Sequence, residues 1–473
     1  MPDNIPERND TENTSVLNIE ALDLKWYSRF EELASFETED ELTGDKEYRE
    51  EQKKAFLAGE IDHPVFDLPK LDIEEITDKE EGLLKLKKDI LEQEQNELVK
   101  QVYRWRINEK IAALRLLKAA KSGNVRSFER YNYFIYGKPS EDIFAFTVES
   151  IRAKAKGVLE NTESTPEQRA AAQDILDSYI EPKKKADIGL PTEETYQKAK
   201  EVTLAEVSDI IDMPEFEGEI GAEEIRRVFE TVFDNLGISK AKGGNWEAII
   251  DTSSAKAVSI SPEQKAKIPE SRTIEYKNLL ALIAHEIGTH VARRVNGNRS
   301  RLMLLGMGLD RYISGEEGVA TMREQVIKND DVVEEFAGIN YHLGISFAQG
   351  LDGTKRSFSG VHEMLTKRRY LERLLDGQDP DKALRLARVN AYNDCVRIFR
   401  GSDCETPGVV FSKDLAYREG NIGVYQLINT QEGQQEMLRF SVGKYDPSNQ
   451  RHIWILDQLG ITEADLDYLQ THE

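Results

Sequence analysis

Apolar side chains recur at three- and four-residue intervals along most of this chain, so helices are the expected building blocks. Leu83, Leu84, Leu86, Ile90 and Leu91, followed by Leu98, Val99, Val102, Ile107, Ile111 and Leu114, predict one long helix over residues 79–121. Its cationic stretch Arg104-Trp105-Arg106 reads as a solvated face with one buried tryptophan rather than a nucleic-acid contact. Residues 21–80 mix short apolar groups with dense acids, which predicts helices joined by loops and broken at Pro64 and Pro69. Ser122-Gly123-Asn124 is a stop, and a second helix runs through Tyr131 and Tyr133. Further helices are expected over residues 141–160, 165–182, 223–236, 317–328, 330–348, 361–376 and 380–398. From Glu181-Pro182-Lys183-Lys184-Lys185 through residue 205 the chain reads as a hydrophilic connection and a domain boundary. Residues 246–250 and 257–260 read as two strands of a hairpin around a turn containing Ser253-Ser254.

Residues 276–295 predict a buried helix: Leu279-Leu280-Ala281-Leu282-Ile283-Ala284 leads into His285-Glu286-Ile287-Gly288-Thr289-His290 and then Val291-Ala292, without a proline. Buried imidazoles and a buried carboxylate need partners, and a divalent metal is the simplest one. The familiar zinc-protease helix places its histidines at i and i+4. Here they are at i and i+5, about 140° apart on a regular helix. A π-type widening at residues 287–289 would bring the rings back together, and Gly288 tolerates such a distortion best. Glu286 would then be the general base for an activated water. The plainer alternative is two core histidines beside a glutamate. Arg293 and Arg294 crowd the helix end, and Asn296-Gly297 offers a left-handed stop. About thirty residues past His285 comes Gly315-Glu316-Glu317-Gly318-Val319-Ala320. A glutamate delivered from a second helix is the third ligand of one large class of zinc peptidases, although acids at a helix N-terminus are favourable in any case. His362-Glu363 is no second site, because Thr366 and Lys367 stand where another histidine would be needed.

His285 to His290 followed by Glu316-Glu317-Gly318-Val319-Ala320 resembles the tyrosine/phenylalanine carboxypeptidase domain family, which includes the microtubule-associated tyrosine carboxypeptidases and bacterial QEGLA-motif proteins. Tyr136-Gly137-Lys138-Pro139, Asn296-Gly297, Arg397-Ile398-Phe399-Arg400-Gly401 and Phe411-Ser412-Lys413-Asp414 agree with it. The resemblance covers roughly residues 100–435. Glu316 replaces the motif's glutamine and Val319 its leucine. The resemblance implies one zinc ion per chain held by His285, His290 and Glu317, with Glu286 as catalytic base.

Composition narrows the setting. The 473 residues suffice for two or three domains, and 39% hydrophobic against 32% charged residues describes a globular, highly soluble chain. Net charge is −24: residues 1–100 carry 29 acidic and 13 basic side chains, a net −16, and the remaining 373 carry −8. Such acidity argues against nucleic acid or an anionic membrane as partner. Cys395 and Cys404 are too few for a disulfide framework and fit free thiols in a reducing compartment. The N-terminus lacks a signal pattern, and no apolar run reaches the length of a membrane span. A cytoplasmic protein is expected.

The expected architecture is α+β and mostly helical. Residues 1–20 form a disordered acidic tail, 21–205 a helical N-terminal region, and 206–473 a zincin-like zinc peptidase domain with a small sheet beside the metal-binding helix. A carboxypeptidase must hold a terminal carboxylate, which suits the planar forks of Arg397 or Arg400 and, less well, Lys413. Either arginine could instead pair with the abundant acids. Tyr417 and Tyr425 are candidates to polarise the carbonyl or line a side-chain pocket, unless they are core tyrosines. The expected function is a zinc metallocarboxypeptidase releasing a C-terminal tyrosine or phenylalanine from a peptide or protein. The alternatives are an aminopeptidase or other metallopeptidase, and a non-catalytic, metal-stabilised binding protein. The acidic N-terminal hundred residues disfavour strongly acidic peptides at low salt, unlike the acidic tubulin tail that the microtubule-associated relatives cleave.

Overall fold

Side-chain caps set the starts of many helices in this chain. The computed structural model describes residues 21–42, 44–69, 71–186, 188–252, 257–328, 335–462 and 466. The tail expected over 1–20, the turn at Ser253-Ser254 and the start of the helix expected over 330–348 lie outside them. The long helix expected over 79–121 is two helices, Ile73–Gln93 and Glu97–Lys121. Asn96 separates them, because its side chain accepts the N–H groups of Leu98 and Val99 at 3.0 and 3.3 Å. Freed at that point, the chain turns back and the two helices pack on each other. Arg104 is exposed, but Arg106 is not part of a solvated face. It is buried, paired with Glu109 at 2.9 Å, and donates to Met307 O at 2.8 Å.

The helices Val125–Tyr136, Glu141–Glu160 and Pro166–Ser178 follow. The expected hydrophilic connection is helical over Glu193–Ile211, and buries Tyr196, Ala199 and Val207. Helix Ala222–Asn235 leads to the sheets. The strands are β1 (Glu219–Gly221), β2 (Glu247–Asp251), β3 (Ser259–Ile260), β4 (Lys265–Pro269) and β5 (Thr273–Glu275). The expected β2–β3 hairpin does not form. β4 lies between them, parallel to β2 and antiparallel to β3, while β1 pairs with β5. The tight turn is instead at Ser261 and Gln264, where Ser261 N–H reaches Lys265 O at 2.9 Å. β4 places Ala266 and Ile268 in the core, a two-residue alternation half concealed by its lysines and proline.

Among the described residues, four hydrophobic clusters hold the chain together. One joins the N-terminal helices to Leu302, Leu304, Leu305, Ile455 and Leu456. Another joins the β2–β4–β3 sheet to Leu279, Ile283, Ile287 and Val291. Burying each of those four side chains contributes roughly 1.5–3 kcal/mol, which anchors the histidine-bearing segment to the sheet. The helices Ile313–Lys328 and Leu415–Ile428 cross where two glycines meet, since a Cβ on Gly318 would lie 2.4 Å from Gly420 O. That close crossing sets the depth at which Glu317 stands. Among the described residues no helix is long and apolar enough to cross a membrane.

Candidate metal centre and cleft

The segment read as one helix changes pitch at the motif. It is α-helical over Tyr276–His285, π-helical over Glu286–Val291 and α-helical again over Ala292–Arg299. The expected widening is therefore present and extends past residues 287–289. It brings the His285 and His290 ring centroids to 5.1 Å. Two side chains bond into the widened turn. Thr289 Oγ1 donates to Ala284 O at 3.0 Å, and the fully buried Arg323 donates to Gly288 O at 2.6 Å and Thr289 Oγ1 at 3.2 Å. Arg323 is itself paired with Glu206 from the helix Glu193–Ile211. Gly288 has a second reason to be glycine: a Cβ there would lie 2.8 Å from Val207 Cγ1 of the same helix. Asn296-Gly297 does not stop the helix, which runs to Arg299. Gly297 instead meets Gly306 N, 2.3 Å from where its Cβ would be.

The two imidazoles present Nε2 to one carboxylate. His285 Nε2 and His290 Nε2 each lie 3.9 Å from Glu317 Oε2, and one donor atom from each residue falls within 4.8 Å of the others. Around a tetrahedral zinc with donors at about 2.0–2.2 Å, those donors stand roughly 3.4 Å apart, so small side-chain adjustments close the set. The Nδ1 atoms are held from behind. His290 Nδ1 is 2.7 Å from Glu316 Oε1. His285 Nδ1 is 3.2 Å from Glu324 Oε2, close enough for an ion pair but too poorly aligned for a hydrogen bond. Imidazole backed by carboxylate is the usual way to fix the tautomer of a metal-binding histidine. Glu316 is committed elsewhere, to His290, to Arg293 at 2.9 Å and to Lys444 at 2.8 Å. Glu317 Oε2 is buried with no hydrogen-bond partner among the described residues.

The charge balance suits a divalent cation. Burial pushes the Glu317 carboxyl up to about 7 and raises Glu286 as well. Burial would lower His285, but the carboxylates of Glu324, Glu286 and Glu317 outweigh it and push its imidazole up to about 9. Glu316 is driven the other way: burial alone would raise it, and Lys444, His290 and Arg293 hold it well below the carboxylate range. Two buried carboxyl groups that resist ionisation, beside an imidazole at His285 that attracts a proton, form a set that a divalent ion satisfies.

These groups line a cleft of about 1130 Å³ together with Arg397, Arg400, Lys413 and Tyr417. Arg397 is engaged twice by Asp414, at 2.8 Å through both Nε and Nη2, and it stacks over Tyr341 and Tyr417 at 4.4 and 5.5 Å. Arg400 has no carboxylate within ion-pair distance among the described residues. Its nearest aromatic face is Phe411, at 5.9 Å. Lys413 is paired with Glu39. Tyr425 does not line the cleft. It lies two turns beyond Tyr417, roughly 12 Å along the axis, is buried beside Phe336 and donates to Gln325 at 3.3 Å.

Tyr341, Arg323 and Glu324 are absent from the sequence-level candidates. Glu324 was discoverable, being seven residues after Glu317 and therefore on the same helical face. Tyr341 and Arg323 carry no such signal. No curated protein and no solved structure matches the chain. A family model described as microtubule-associated tyrosine carboxypeptidase matches residues 179–331 and 381–471. That match contains both histidines, Glu286, Glu317 and the arginine-bearing segment.

Proposed function

The chain belongs to the microtubule-associated tyrosine carboxypeptidase family, and from that membership we propose that it is a zinc-dependent, zincin-like carboxypeptidase releasing a C-terminal tyrosine or phenylalanine from proteins or peptides. The observation that carries the metal assignment is the convergence of His285 Nε2, His290 Nε2 and Glu317 Oε2 beside Glu286 in the cleft. Bound there, zinc supplies Lewis-acid activation of water and of the scissile carbonyl.

The chain's own groups do the rest. Glu286 has no hydrogen-bond partner among the described residues and faces the cleft, so it is free to take a proton from the attacking water and pass it to the leaving amine. Arg400 is the better clamp for the substrate's terminal carboxylate, because Arg397 already spends its fork on Asp414. Tyr341 and Tyr417, held by Arg397, offer aromatic faces to the departing side chain. β3 is an edge strand that lines the cleft beside the π-helical turn, and an extended peptide can add to its open side. The family's name ties its activity to microtubules, which makes a protein C-terminus the natural substrate class.

The test is one peptide ending in tyrosine, prepared free, C-terminally amidated and N-acetylated. Amidation should slow cleavage sharply and acetylation should matter little. Equal rates for the free and amidated forms, with loss on acetylation, would turn the assignment to an aminopeptidase.

A further inference from the structure

The family match begins at residue 179, yet part of the cleft wall comes from residues 34–69. That wall brings Glu37, Glu39 and Asp40 into the cleft. Each acts electrostatically on cleft cations, and Glu39 does so in direct contact. Glu39 pairs with Lys413. Asp40 lies within electrostatic reach of Lys267 and Arg400. Glu37 acts on Lys110, whose ammonium donates to Phe36 O at 3.1 Å and lies 4.5 Å over the Phe36 ring. A short acidic stretch of the chain therefore occupies the positions that acidic residues of a bound peptide would seek.

Resting on the carboxypeptidase reading, we propose that Glu37, Glu39 and Asp40 are specificity-determining residues that direct this cleft toward C-terminal tails of neutral or basic character and away from acidic ones. The physical reason is substitution: Lys413, Lys267 and Lys110, already answered by fixed carboxylates, offer an incoming upstream glutamate little attraction, and the same carboxylates repel it, while Arg400 stays open for the terminal carboxylate. A neutral or lysine-bearing tail loses nothing by their presence. The arrangement differs from a lid, because it discriminates by charge and leaves the cleft open.

The test uses two labelled peptides with the same C-terminal tyrosine, one glutamate-rich and one serine-rich upstream, on the metal-loaded full chain. In Glu37→Gln/Glu39→Gln/Asp40→Asn the acidic-to-neutral ratio of kcat/KM should rise roughly tenfold at low salt, a few-fold for each of three partly exposed charges. The gain should collapse at high salt. An unchanged ratio, or an equal rise for both peptides as a lid would give, overturns the proposal. The unmodified chain supplies a second measurement: its acidic-to-neutral ratio should hold or rise with salt, and a fall would show that the cations were available after all. Fluorescence anisotropy reads the same ratios as binding, without turnover. Absence of hydrolysis alone then counts against the carboxypeptidase reading, and a flat binding ratio counts against this one.

Discussion

Glu286 and Glu316 illustrate two carboxylates on neighbouring helices held to opposite purposes. Glu286 is buried without a hydrogen-bond partner among the described residues, and burial raises its pKa. Glu316 is ringed by His290, Arg293 and Lys444. Glu286→Gln keeps the shape and removes the base, so zinc content should be unchanged while turnover falls by about 10²–10⁴-fold. Near-normal turnover in that variant would exclude the assigned role. Replacing His285 and His290 together with alanine should abolish stoichiometric zinc, and one retained ion per chain would refute the donor set. Glu316 is expected to act through His290. Glu316→Ala should weaken metal affinity about 10–100-fold, whereas Glu316→Gln, which still accepts from Nδ1 and matches the family's motif residue, should keep most of it. Chelator competition distinguishes the two. At this scale the motif residues were legible, because histidine and glutamate in a buried apolar run have few other uses. Glu316 and Glu317 could not be told apart by sequence, since which carboxylate faces the rings depends on how deep the second helix sits.

The π-helical turn is the element on which the site depends. Spacing alone implied it: two imidazoles five residues apart cannot share an ion on a regular helix. What holds it was not implied, namely Arg323 bonded to Gly288 O and Val207 pressed against Gly288. Gly288→Ala should therefore cost about 1–3 kcal/mol through overpacking, and adding Val207→Ala should restore part of that. Denaturant unfolding of the single and double variants gives the answer, and a Gly288→Ala protein as stable as the parent would show that the contact yields freely. Elsewhere, element type was read better than element limits. The helix at Glu141–Glu160 was anticipated residue for residue, but a single asparagine cap split the one expected over 79–121. The β2–β3 pairing was wrong because adjacency in sequence suggested a hairpin, while β4, with only two inward apolar residues, took the central position.

At the scale of the whole molecule, packing draws distant segments together. Asp23 accepts the N–H groups of Met303 and Leu304 at 2.8 and 2.9 Å, tying the start of the helix Leu24–Ala34 to the segment beyond the motif. Near the other end, the fully buried His452 accepts the Asp446 N–H at 3.0 Å, and burial holds its imidazole down to about 4, with Asp310, Arg451 and Arg293 as its charged neighbours. A histidine neutral in the fold and protonated when unfolded binds more protons in the unfolded state between pH 6.5 and about 4. Its contribution is complete above pH 6.5 and is lost as pH falls through that window, by up to about 3 kcal/mol at roughly 1.4 kcal/mol per unit. Asp23, pushed up to about 6 chiefly by burial, works in the opposite sense over part of the same range. The stability difference between the parent and His452→Gln, measured by denaturant at pH 7.5 and pH 4.5, isolates the histidine and should be smaller at the lower pH. An equal difference at both would contradict it. The sequence by itself determined the helical character, the family, the histidine–glutamate motif and the need for a widened turn, because periodicity and spacing are local properties. Tertiary structure alone decided that Glu317 faces both rings, that Arg397 is tied to Asp414 while Arg400 is left open, that Tyr425 is remote, and that an acidic N-terminal stretch lines the cleft. Those outcomes depend on contacts between residues tens to hundreds of positions apart, for which spacing along the chain carries no signal.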